Sequence, residues 1–163
     1  MVAIYHSMMN AIRYGVLFAS AIFLWAVVEW LIGLHGPHIR YHEYLSYFFA
    51  VPAVGIMYCG ITHGENGQSD RVGFRRAFKK GLGITSVVVL LCPLVWYTFC
   101  TFVSTDFLSN MARHAIETEA MAAPLAMKRF SLANHLLVSS LSTAVIGVVI
   151  SLVIAVIVAR RKK

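Results

Sequence analysis

Long apolar runs alternate along the chain with short polar ones, and the apolar runs have the length of a membrane crossing. A hydrocarbon core about 30 Å thick needs roughly 20 apolar helical residues. Four stretches meet that need, at about 14–34, 44–61, 81–103 and 136–159. The first is interrupted only by Glu29, and the other three carry no charge. The alternating segments of a membrane barrel are missing, so helices are predicted, each satisfying its own backbone in lipid. Pro52 and Pro93 each delete one helix hydrogen bond, which predicts kinks near Phe48 and Val89. The expected fold is an all-α membrane protein, a four-transmembrane-helix bundle forming a single domain over residues 1–163.

Two amphipathic stretches connect the spans. Over 71–80, Arg71, Arg75 and Lys79 recur every fourth residue, Arg76 and Lys80 flank them, and Phe74 and Phe78 lie one turn apart. Ser69 or Asp70 is the candidate cap. The pattern predicts a basic interfacial helix feeding the third span. Over 106–123, Phe107, Leu108, Met111, Ala115, Thr118 and Ala122 recur near helical spacing behind Thr105 or Asp106, a candidate cap, and Arg113, Glu117 and Glu119 fall on the wet side. An amphipathic helix on the outer face is predicted there, with Pro124 weakening its last turn or starting a second one.

Composition supports the membrane reading. Apolar residues make up 59% of the chain and charged residues 13%, against ~45–50% and ~25% in soluble domains. Soluble globular folds are excluded, and so is disorder. The net charge of +7 and pI of about 9.6 gain meaning from where the cations fall. Arg13, Arg71, Arg75, Arg76, Lys79, Lys80, Arg160, Arg161, Lys162 and Lys163 share one side of a four-crossing chain, while Arg40, Arg113, Lys128 and Arg129 share the other. The larger set belongs in the cytoplasm, so both termini are expected there. Trp25, Trp30, Tyr41, Tyr44, Tyr47, Trp96 and Tyr97 would form a belt at the outer interface. The N-terminus lacks the signature of a cleaved signal peptide, so the first span is expected to be a retained anchor. Nucleic acid is not an expected partner, because the cations sit at a membrane face with no reader motif. Anionic lipid is, through Arg71, Arg75, Arg76, Lys79 and Lys80 at about 1 kcal/mol per cation.

Candidate chemistry is sparse. Glu29 is the one carboxylate inside a span, a position that suggests ion coupling. His35, His38 and His42 lie in the first outer connection, where Pro37 suits the first position of a helix and His38 and His42 would share one face, as metal ligands four apart do. His114, His135 and Glu43 fall on the same side. Cys59, Cys92 and Cys100 are scattered among the spans without metal-ligand spacing and read as packing residues. With no phosphate-binding loop, nucleophile elbow or zinc-protease motif, neither enzyme activity nor a cofactor is expected. Ser140, Ala144, Gly147, Ser151 and Ala155 form a stripe of small residues on the fourth span, suited to close packing within the bundle or against another membrane protein. Gly15 and Ala19 offer a matching patch on the first span.

The stretch Gly73-Phe74-Arg75-Arg76-Ala77-Phe78-Lys79-Lys80-Gly81 resembles the Ser-Phe-Gly-x-Ala-Phe-x-x-Gly entry to the third span in a bacterial integral-membrane family, domain of unknown function forty-one ninety-nine. Asp106-Phe107 is similar to that family's Pro-Asp-Phe. Gly73 stands for the usual Ser and Arg75 for the usual Gly, and the histidine-rich connection is a departure. The resemblance covers nearly the whole chain and implies a four-span fold in a bacterial inner membrane, with no activity attached. Three functional expectations follow: an accessory subunit or lipid-contacting scaffold, a small transporter or lipid-handling protein using Glu29, and a periplasm-facing metal or pH sensor using the histidines.

Overall fold

The computed structural model describes residues 2–63 and 73–160, and over them the fold is an all-α bundle. Among the described residues, four helical stretches are long and apolar enough to cross a membrane: Ser7–Leu31, Ile39–Thr62, Phe74–Val103 and Leu132–Arg160. The helices are α1 (Val2–Leu31), α2 (His42–Ser46), α3 (Ala50–Thr62), α4 (Phe74–Thr98), α5 (Phe107–Glu117), α6 (Ala123–Arg129) and α7 (Leu132–Arg160). The second span joins α2 and α3 through 3₁₀ turns at Ile39–Tyr41 and Tyr47–Phe49. The tightening at Phe48 coincides with the kink expected from Pro52, whose missing N–H falls in the first turn of α3. Pro93, by contrast, lies within an unbroken α4. That helix passes at its end into a π turn, Phe99–Val103, closed by the Ser104 N–H donating to the Phe99 carbonyl at 2.9 Å.

The first span stops earlier than its apolar pattern, and the cause is glycine. Gly33 has φ +82°, its N–H donates to the Trp30 carbonyl at 3.0 Å, and the Leu34 N–H donates to the Glu29 carbonyl at 2.9 Å. These are the two bonds of a Schellman end, with the left-handed residue where only glycine sits without strain. Leu34 tucks in behind it, 2% exposed.

α4 is the hub, packing against α1, α3 and α7. Its close neighbours are small residues. A Cβ on Gly81 would lie 2.5 Å from Ser151 Oγ, one on Gly147 would lie 2.5 Å from Thr85 Cγ2, and one on Gly15 would lie 2.5 Å from Val87 Cγ1. Gly147, Ser151 and Ala155 of the small-residue stripe therefore face the chain's own interior, Ser151 and Ala155 being fully buried. Met57, Ile61, Ala77, Ile84, Val88 and Ile154 fill the core beside them.

The described part of the basic segment forms the first turns of α4, which runs without a break from Phe74 through Gly81 into the span. Phe74 and Phe78 stack with centroids 6.1 Å apart, Phe78 packs on the core, and Arg75, Arg76 and Lys79 are exposed. Arg71 and the Ser69 or Asp70 cap lie outside the described residues. Over 106–123 the amphipathic helix is α5, which ends at Glu117 before Glu119 turns left-handed at φ +55°; Pro124 then sits in the first turn of a second helix, α6, one of the two outcomes expected of it. Asp106 occupies the N-cap position of α5 without a side-chain capping bond.

Candidate functional site

The last turn of α1, the connection after it and the first residue of α2 converge at one end of the bundle. Glu29 is 4% exposed and His35 3%. His35 Nε2 lies 3.6 Å from Glu29 Oε2, and His42 Nε2 lies 3.7 Å from the same oxygen. One ligand atom from each of the three residues lies within 4.8 Å of the other two. The other carboxylate oxygen is held from two sides. Glu29 Oε1 accepts hydrogen bonds from Trp25 Nε1 at 2.7 Å and Ser46 Oγ at 2.6 Å. Those bonds orient the carboxylate and leave Oε2 facing the imidazoles.

The Schellman end explains the convergence. By reversing the chain at Gly33 it brings His35 back over the last turn of α1. The same turn draws His38 away, since its N–H donates to the Gly33 carbonyl at 2.9 Å and its ring packs on Gly33. The expected His38–His42 pair on one helical face does not form. His38 precedes the Ile39–Tyr41 turn, and α2 begins only at His42. Thus His35 and His42 join Glu29, and His38 stays outside.

α5 roofs this cluster. Phe107, 3% exposed, lies over His35 with centroids 4.2 Å apart and over His42 at 5.3 Å. Phe99, from the π turn, meets the His35 ring edge-on at 5.2 Å. Asn110 Nδ2 donates to the His35 carbonyl at 2.8 Å and ties the roof to the connection. Inside it neither ring nitrogen of His35 has a hydrogen-bond partner among the described residues, a condition costing about 1–3 kcal/mol per buried polar group.

The comparisons bear on the whole of this architecture. A profile of the family described as Protein of unknown function (DUF4199) matches residues 13–160. The chain belongs to that family. Neither the curated proteins nor the solved structures contain a match to it. In this DUF4199 chain Phe107, the second residue of the Asp106-Phe107 pair, supplies the centre of the roof.

A second feature lies beside the cluster. A cleft of about 490 Å³ opens between the second span and α7, with Phe18, Phe49, Met57, Val88 and Ile150 among its walls. Ser46, the donor to Glu29, also lines it, as do His135, Thr85 and Arg129. Thr85 Oγ1 and His135 Nε2 are buried there without hydrogen-bond partners among the described residues. Trp25 was accessible to sequence reasoning, being one helical turn before Glu29. Ser46, Thr85 and Arg129 carried no comparable signal.

Proposed function

We propose that this DUF4199 protein is a non-enzymatic, multi-pass protein of a bacterial inner membrane that accommodates a phospholipid tail in its interhelical cleft. Its basic end and both termini face the cytoplasm, in keeping with the ten-to-four distribution of cations. The carrying observation is the cleft itself. Its lining residues on α7 run from His135 to Ile150, about 22 Å along a helix at ~1.5 Å per residue, which exceeds the ~15 Å depth of one leaflet's hydrocarbon. Most of the wall is apolar, it lies inside the membrane-spanning segments, and Arg129 at the roofed end suits a lipid phosphate. His135 Nε2 and Thr85 Oγ1 offer polar contacts to an ester group along the way. The basic start of α4 adds contacts to anionic headgroups at the opposite surface.

The test is native mass spectrometry of the protein extracted with its lipids. Ser142 lines the cleft and is exposed, so Ser142→Trp fills the space without disturbing the core. The wild-type chain should retain phospholipid that Ser142→Trp loses, and Arg129→Ala should weaken retention. Equal retention by wild type and Ser142→Trp refutes the reading.

A further inference from the structure

We propose that Glu29, His35 and His42 form a binding site for a first-row divalent transition metal of the zinc class, separate from the cleft. The donor set is two imidazoles and one carboxylate, a combination of borderline ligands that suits zinc and its neighbours and that leaves a fourth position open.

The spacing carries the argument. A charge-assisted hydrogen bond between imidazole and carboxylate closes to about 2.7–2.9 Å. Here the two nitrogens stand 3.6 and 3.7 Å from Glu29 Oε2, too far to bond it and close to the edge of a coordination tetrahedron, about 3.4 Å for ligand distances near 2.1 Å. All three ligand atoms lie within 4.8 Å of one another, so a small rotation of His42 completes the set. That ring has the freedom to move, its side chain being 16% exposed against 1% for His35.

The surroundings are those of a ligand group held in advance. Trp25 and Ser46 fix Oε1 and so aim Oε2, the outer-shell arrangement that orients metal-bound carboxylates. His35 Nε2 is buried with no hydrogen-bond partner among the described residues and faces that oxygen. Phe107 and Phe99 keep bulk water from the His35 ring. Sequence spacing pointed to His38 as a ligand, whereas the geometry replaces it with Glu29.

Zinc competition against a chromophoric chelator, on the purified full chain in detergent, provides the test, with Co²⁺ substitution as a spectroscopic second reading. One Zn²⁺ per chain is expected, with the visible bands of low-coordinate Co²⁺. His42→Ala and Glu29→Gln should each lose at least about 100-fold in affinity, beyond the ~10–100-fold expected for the outer-shell variants Ser46→Ala and Trp25→Phe. His42→Cys, which restores a metal-binding donor, should recover binding relative to His42→Ala, an outcome that simple loss of folding does not produce. His38→Ala should bind as wild type does. The proposal is overturned if the wild-type chain binds no zinc, if His42→Ala binds as tightly as wild type, or if His38→Ala abolishes binding. Ser142→Trp separates this site from the cleft, because it should lose lipid and keep zinc.

Discussion

Substituting Gly81 by alanine tests whether the small-residue face of α7 is occupied within the chain. The added Cβ would stand 2.5 Å from Ser151 Oγ and 2.6 Å from Ser151 Cβ. Ser151 is fully buried, and its hydroxyl is already committed to the Gly147 carbonyl at 2.6 Å, so the side chain cannot swing aside without losing that bond. Overpacking of this kind costs about 1–3 kcal/mol. Exchange of glycine for alanine inside a helix returns about 0.5–1 kcal/mol, so the net loss should lie between about 0 and 2.5 kcal/mol. Gly55 provides the internal standard, because nothing lies within 4 Å of the Cβ it would gain. Gly55→Ala should therefore stabilise by about 0.5–1 kcal/mol. The two variants can be compared by detergent-titrated unfolding in bicelles. The double variant Gly81→Ala/Ser151→Gly should recover much of the loss, because the cavity and the clash exchange sides, with a coupling of about 1–2 kcal/mol. If Gly81→Ala proves as stable as Gly55→Ala, or if Ser151→Gly fails to rescue it, the α4–α7 contact is not the close one described.

Two further outcomes concern the basic end. Arg75→Glu with Arg76→Glu should reduce the enrichment of anionic over zwitterionic phospholipid around the purified protein. The preference should fade with added salt, as attraction between exposed charges must; no preference in the wild-type chain would leave the cations as a topology signal only. A Ser69→Cys variant lacking the native cysteines should label from the cytoplasmic side in oriented membranes, and labelling from the periplasm would reverse the orientation.

The spans were legible because their signal is one of composition over about 20 residues, and α5 because Phe107, Met111 and Ala115 recur on one face while Arg113 and Glu117 stay outside. What the pattern obscured was local. The end of α1 depends on a left-handed Gly33 inside a run that stays apolar through Leu34, so hydropathy alone placed the boundary too late. The contrast of charge between the basic segment and the span hides their continuity, for nothing between Lys80 and Gly81 interrupts backbone hydrogen bonding. Glu29 and the histidines stood out one by one as polar groups in apolar surroundings. Their meeting could not be read, because it needs the chain reversal at Gly33 and the fold of α5 across it. Helical spacing favoured His38 with His42, and a 3₁₀ turn in place of a full helix separates them. The cleft left no trace in the sequence, since it is a space between helices whose lining residues come from separate parts of the chain.

Ser46 has one hydroxyl and two neighbours. Its Oγ is spent on Glu29 at 2.6 Å, and the same residue forms part of the cleft wall. An occupant that pulled Ser46 away would release one of the two bonds steadying the carboxylate, and an ion that tightened the carboxylate would hold Ser46 against the wall. Thermodynamic linkage makes the two effects equal: whatever factor filling the cleft imposes on the cluster, filling the cluster imposes on the cleft. A Ser46→Ala chain would uncouple them, so the two occupancies would become independent even where each persisted.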